Sequence, residues 1–226
     1  MPKIATEPLF YIFFVYGLSF LIMANLLANE ITSARPMKLL SSFWMLVLFG
    51  LTHGMTELTD WVRFIGKTLM GKEFQPLLYV SQIMLVISFV FLFQFAVNLM
   101  SYQSEKKGII RSIPFVLFLV FITIITVQGI SNISEIGLFA RYSFGFGGSL
   151  LSGFGLFKLG GTMKAIGNKK LVNGLYLAAF GFICYAVFGG LIVTPVLGMP
   201  VQLFRAASAV IITAACYMIV DVFKLE

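Results

Sequence analysis

The chain has 226 residues, of which 59% are hydrophobic and only 11% charged, with a formal charge of +7 and a mean hydropathy of +0.98. Soluble domains carry about 25% charged residues, so this composition excludes an ordinary soluble fold and points to an all-α polytopic membrane protein. The positive charge does not point to nucleic acid, because the basic residues sit in short loops between apolar runs, as topology signals do.

Seven apolar stretches are each long enough to cross a hydrocarbon core, which takes about 20 helical residues. They are predicted near 8–29, 39–62, 77–102, 112–130, 138–159, 173–194 and 201–223. The connections are short, so the chain 1–226 reads as a single membrane domain with lipid as its solvent. The first stretch has only Lys3 before it and no small-residue cleavage site, which predicts a retained helix rather than a signal peptide.

Lys and Arg accumulate on the cytoplasmic side of a membrane protein. Seven crossings place Arg35, Lys38, Lys106, Lys107, Arg111, Lys158, Lys164, Lys169, Lys170 and Lys224 on one face, against Lys3, Arg63, Lys67, Lys72, Arg141 and Arg205 on the other. The richer face reads as the inside, so the N-terminus is predicted outside and the C-terminus cytoplasmic. A bacterial inner membrane is the expected location.

The second stretch contains the chain's single histidine, in Leu51-Thr52-His53-Gly54-Met55-Thr56-Glu57-Leu58-Thr59-Asp60-Trp61. His53 and Glu57 are four residues apart, one helical turn along one face, which Asp60 and Trp61 continue. A carboxylate at the bilayer centre costs about 2.5 to 3.5 kcal/mol on insertion scales, so such a group faces protein or a wet cavity. The pair can relay protons, bind a polar ligand, or ligate a metal or haem iron. It can equally be a structural pair tying the second helix to Arg205. A zincin pattern and bis-histidine haem both need a second His, which the chain lacks; His-Met haem stays open.

The predicted depths bring further polar groups to the same outer level. Arg141 and Tyr142 open the fifth helix, and Gln82 begins the third. The run Gly198-Met199-Pro200-Val201-Gln202-Leu203-Phe204-Arg205-Ala206 opens the seventh. Pro200 suits the first helical turn, with Gln202 and Arg205 on the next, and Arg205 is expected to turn inward as a counter-ion for Glu57. Gln94 and Asn98 fall instead in the inner half of the third helix. In the fifth, Gly145, Ser149 and Gly153 form a stripe of small residues suited to close helix packing or dimerisation, with Gly181 and Gly189 as candidates for the facing surface. Cys184 and Cys216 lie in apolar runs and read as packed free thiols.

Ser33-Ala34-Arg35-Pro36, Phe49 to Glu57, and Gly198 to Ala206 together resemble the seven-helix membrane input module of bacterial sensor histidine kinases and diguanylate cyclases. In that module a Trp often follows the Glu; here Leu58 does. The resemblance implies a sensor domain without enzymatic activity, fused at its C-terminus to cytoplasmic kinase or cyclase domains and working as a homodimer. Its expected ligand or switch residues are His53, Glu57, Arg205, Gln202, Arg141, Asp60 and Trp61, with His53 and Glu57 the only metal candidates. Alternatives are a small-molecule or proton transporter or channel, and a haem- or quinone-binding module.

Overall fold

The computed structural model describes residues 7–33, 40–101 and 107–223. Arg35, Lys38, Lys106, Lys224 and most of the Ser33 to Pro36 motif therefore lie outside the described residues. Among the described residues eight α-helices follow in chain order: α1 Pro8–Ser33, α2 Leu40–Met70, α3 Gln75–Met100, α4 Lys107–Gln128, α5 Ile133–Ala140, α6 Phe146–Met163, α7 Lys169–Tyr185 and α8 Val201–Phe223. A π-helical stretch, Arg141–Gly145, joins α5 to α6 in one rod, and a second, Ala186–Leu191, extends α7. Among the described residues there is no strand, only a bridge between Val196 and Met199 in the loop before α8.

Helix ends follow local chemistry. Gly71 and Gly129, both at φ 64°, take up the left-handed conformation that ends α2 and α4. Asn168 accepts from the Leu171 amide at 3.1 Å to start α7. Asn132 accepts from the Ser134 amide at 3.0 Å and donates to Glu135 Oε1 at 3.1 Å, so the Asn132-Ile133-Ser134 triplet is a helix start.

Two helices run well beyond the lengths expected from apolarity. α2 continues to Met70 because its last turns are held from the side: Arg63 bonds Asp60 Oδ1 at 2.7 Å and Glu73 Oε1 at 2.5 Å. The fifth rod begins at Ile133, five residues before the expected 138. Backbone bonding does not stop where hydropathy falls.

Among the described residues five helical stretches are long and apolar enough to cross a membrane: Pro8–Thr32, Gln75–Met100, Gly108–Gln128, Lys169–Leu191 and Val201–Val222. α2 and the α5–α6 rod fall outside that set. α2 carries His53, Glu57 and Asp60 in its middle, and α6 is diluted by glycines.

The helices close into a ring. α1 packs on α2, α2 on α3, α3 on α6, α6 on α7, α7 on α8, and α8 returns to α1. α4 stands outside and leans on α3. Its surface shows the difference: only 11% of its apolar window is buried, against 50% for α3 and α8. Val116, Leu119, Val120 and Val127 are all exposed. An exposed apolar face this extensive is normal against lipid and rare against water.

The ring's core is aromatic, with Tyr16, Phe20, Phe49, Phe89, Phe95, Phe182 and Tyr185 fully buried. Glycines set how closely α1 and α2 approach. A Cβ on Gly17 would sit 2.9 Å from the Gly54 carbonyl oxygen, and one on Gly54 would sit 2.9 Å from that of Gly17. The predicted small-residue stripe divides between partners: Gly145 packs on Phe89 of α3, whereas Gly153 packs on Ala179 and Ile183 of α7. Gly181 faces Ile212 of α8 rather than α6, and Gly189 faces the ring of Tyr185. Gly190 is the residue that meets the α6 backbone, at Phe146. Both cysteines are free, Cys216 buried and Cys184 partly so.

Candidate functional site

The glycine contact between α1 and α2 sits beside the candidate site. Gly17 adjoins Tyr16 and Gly54 adjoins His53, so the close backbone approach brings these two side chains together. His53 is 0% exposed. Its Nε2 lies 2.6 Å from the Tyr185 hydroxyl and 3.2 Å from that of Tyr16, and the two hydroxyls are 2.7 Å apart. On the other side of the ring, Nδ1 lies 2.8 Å from Ser88 Oγ. Four helices, α1, α2, α3 and α7, thus meet at one imidazole.

Proton positions follow from the donor count. Ser88 gives its hydroxyl proton to the Leu85 carbonyl at 2.7 Å, so it accepts from His53 Nδ1–H. Nε2 is then the acceptor and takes the proton of the nearer hydroxyl, Tyr185, which in turn accepts from Tyr16. Every hydroxyl donates once, and both ring nitrogens are used.

Phe49 stacks on the imidazole at 5.1 Å between centroids, and Phe20 and Phe89 enclose it at 5.2 and 5.3 Å. This enclosure bears on the metal and haem readings. An iron or metal ion at His53 would have to displace Tyr185 or Ser88, and a porphyrin would have to displace the phenylalanines. Among the described residues no group of three His, Cys, Asp or Glu converges. The site as built does not fit a haem or a metal ion.

Glu57 is 2% exposed, and its Oε1 lies 3.5 Å from His53 Nε2. That is ion-pair range and too long for a hydrogen bond. Glu57 has no hydrogen bond among the described residues, whereas His53 and the hydroxyls around it are all paired. Arg141 and Arg205 lie within electrostatic range of it.

Arg205 is turned inward and only 6% exposed. It makes no ion pair with Glu57 within 4 Å among the described residues, against the expectation from sequence. Its Nε donates to the Phe188 carbonyl at 2.6 Å and its Nη2 to the Ile192 carbonyl at 3.0 Å. Arg141 Nη1 donates to the Gly189 carbonyl at 3.2 Å, and its guanidinium lies 5.8 Å from the centre of the Phe89 ring. The physical reason is the end of the α7 rod. The last carbonyls of a helix have no partner further along, and the π-helical stretch splays them sideways. Two cations cap this negative end from α8 and from the π turn before α6.

The remaining predicted residues divide. Asp60 belongs to the Arg63 cluster and also accepts from Ser81 Oγ at 2.7 Å. Trp61 packs against Phe10 and Phe14 of α1 at 5.3 and 5.2 Å, and its buried indole N–H has no partner among the described residues. Gln202 is half-buried on the first turn of α8. His53, Glu57, Arg141 and Arg205 are therefore brought into one layer, while Asp60 and Trp61 make separate contacts nearer the end of α2.

Sequence reasoning passed over Tyr16, Ser88 and Tyr185. The available signal was weak but physical: a tyrosine in the middle of an apolar helix carries a hydroxyl that must find a partner. No family model matches the chain, and neither a curated protein nor a solved structure does.

Proposed function

We propose that this chain is a membrane-embedded signal-input domain of seven crossings, α2 and the α5–α6 rod joining the five strongly apolar helices. In this reading the N-terminus is outside, the C-terminus is cytoplasmic, and the output partners are kinase or cyclase domains of a bacterial inner-membrane homodimer. The domain has no catalytic role. The observation that carries the reading is the position of Tyr185. It bonds His53 with its hydroxyl and stands immediately before the π-helical turn whose carbonyls hold Arg205 of the last helix.

The switch follows from the donor count. A proton placed on Nε2, from Glu57 or from a ligand, turns that nitrogen from acceptor to donor. Tyr185 must then reorient, and with it the turn that anchors α8. A signal moves such an equilibrium only through unequal affinity for the two arrangements, and a carboxylate without a hydrogen bond is the group free to differ between them.

The test places Glu57→Gln, Tyr185→Phe and Arg205→Ala in the chain joined to its output domain, with a spin-label pair reporting the distance between α1 and α8. The proposal expects altered output and a shifted α1 to α8 distance in at least the Glu57 and Arg205 variants. Wild-type output in all three would overturn it. Sustained proton or solute flux above empty-vesicle background in proteoliposomes would favour transport instead.

A further inference from the structure

Outside the ring, α4 is held at two points, to α3 near one end and to the α5–α6 rod toward the other, with a cleft beside α3. Near one end, Gln94 Nε2 donates to the Arg111 carbonyl at 3.2 Å and to Asn98 Oδ1 at 2.9 Å. Pro114 lies inside α4 and lacks the N–H that would bond the Ile110 carbonyl, which loosens the helical ladder at the turn that also carries Arg111. Toward the other end, Phe121 is buried against Phe139 and Phe144 at 5.3 and 5.5 Å. Between these anchors lies a cleft of about 380 Å³.

The cleft is amphipathic along its length. Gln94, Asn98 and Arg111 line its polar end, and Val90, Phe91, Phe115 and Phe118, with Met45 of α2, line the remainder. Arg111 is exposed and has no ion pair among the described residues. The Asn98 amide oxygen is taken by Gln94, which leaves its two N–H donors without a hydrogen bond among the described residues. The polar end also belongs to the basic end of the bundle, where Lys158, Lys164, Lys169 and Lys170 with Arg111 outnumber Glu30 and Asp221 among the described residues. Among these described residues only Lys170 has a carboxylate partner, Asp221. The opposite end is balanced: Arg63, Lys67, Lys72, Arg141 and Arg205 share it with Glu7, Glu57, Asp60, Glu73 and Glu135.

We propose that the α3–α4 cleft is a binding site for an anionic phospholipid. Its phosphate is held by the Arg111 guanidinium and the Asn98 amide, and one acyl chain lies along Val90, Phe91, Phe115 and Phe118. The chemistry is that of a basic recess between membrane helices facing the anionic leaflet, where each Lys or Arg near the surface contributes about 1 kcal/mol of attraction. Charge complementarity selects a lipid over an uncharged occupant, and the apolar length selects a lipid over free phosphate. The proposal requires the helices to lie in a bilayer but is independent of any sensing role.

The experiment is native mass spectrometry of the full chain in detergent, titrated with phosphatidylglycerol, phosphatidylcholine or inorganic phosphate. Wild type is expected to retain phosphatidylglycerol in preference to phosphatidylcholine and to show no binding of inorganic phosphate. Arg111→Gln should weaken phosphatidylglycerol about fivefold or more, Val90→Phe should weaken it by filling the tail cleft, and Lys158→Gln should leave it unchanged. Arg111 is on the surface, so its variant tests the site without disturbing the fold. Equal phosphatidylglycerol binding by wild type and Arg111→Gln, equal retention of the two lipids by wild type, or phosphate binding as tight as lipid binding would each overturn the proposal.

Discussion

Two polar layers occur in this bundle, and they are built in opposite ways. The layer around His53 is sealed by Phe20, Phe49 and Phe89, and both imidazole nitrogens and the hydroxyl protons of the two tyrosines beside it are used within the ring. The layer around Gln94, Asn98 and Arg111 is open to the outside and only partly paired. The difference teaches what each can do. A fully paired polar group in an apolar interior specifies one packing and responds only as a unit, because changing one member leaves the others unsatisfied. An open, half-paired group can accept a molecule from outside without disturbing the fold.

Substitutions can break that contrast, and the largest effect is expected at its centre. His53→Ala should lower stability by about 3 to 5 kcal/mol, since it removes a buried ring and orphans the polar groups it joined. Reversible unfolding in mixed micelles measures this, and a loss below about 1 kcal/mol would mean that the knot does not bind the four helices together.

Arg205→Ala comes next. Two charge-assisted bonds to the end of the α7 rod disappear, at a cost of about 2 to 3 kcal/mol, and Arg205→Lys should recover less than half because an ammonium cannot span both carbonyls. Equal stability of the Lys variant and wild type would reduce the site to simple charge. Gly17→Ala should cost about 1 to 3 kcal/mol, because the new methyl meets the Gly54 carbonyl and pushes Tyr16 away from His53. A crosslinking yield between α1 and α2 that stays at the wild-type level would contradict the geometry.

Of similar or smaller size, Tyr185→Phe removes two hydrogen bonds, to His53 and from Tyr16, each worth about 0.6 to 1 kcal/mol between membrane helices. Arg111→Gln, in the open layer, should change stability by no more than about 0.5 kcal/mol. If it matched His53→Ala, the distinction between a sealed and an open layer would collapse.

Much of this was legible beforehand. The all-α class follows from hydropathy, and the membrane follows from apolar surface that no soluble fold could expose. His53 and Glu57 stood out because ionisable groups are rare in apolar runs, and their one-turn spacing was readable because helical periodicity is local. Arg205 was read correctly as buried but with the wrong partner. Opposite charges suggested Glu57, whereas the carbonyls of Phe188 and Ile192 became available only through a π-helical turn that no residue type announces. Tyr16, Ser88 and Tyr185 escaped notice because each is unremarkable alone. Only three separate helices converging on one imidazole give them meaning.

α4 shows the same boundary from the other side. Its apolar run has the highest mean hydropathy of the five, 2.4, yet nothing in the sequence marked it as the helix outside the ring. Its place outside the ring, and the cleft that results, depend on how α3 packs against α6. Sequence by itself therefore determined which segments are helical, which are apolar and where the buried charges lie, because hydropathy and backbone hydrogen bonding act over a few residues. Only the tertiary structure decided which polar groups meet, since lipid is as apolar as leucine and helix pairing there rests on fit between particular surfaces.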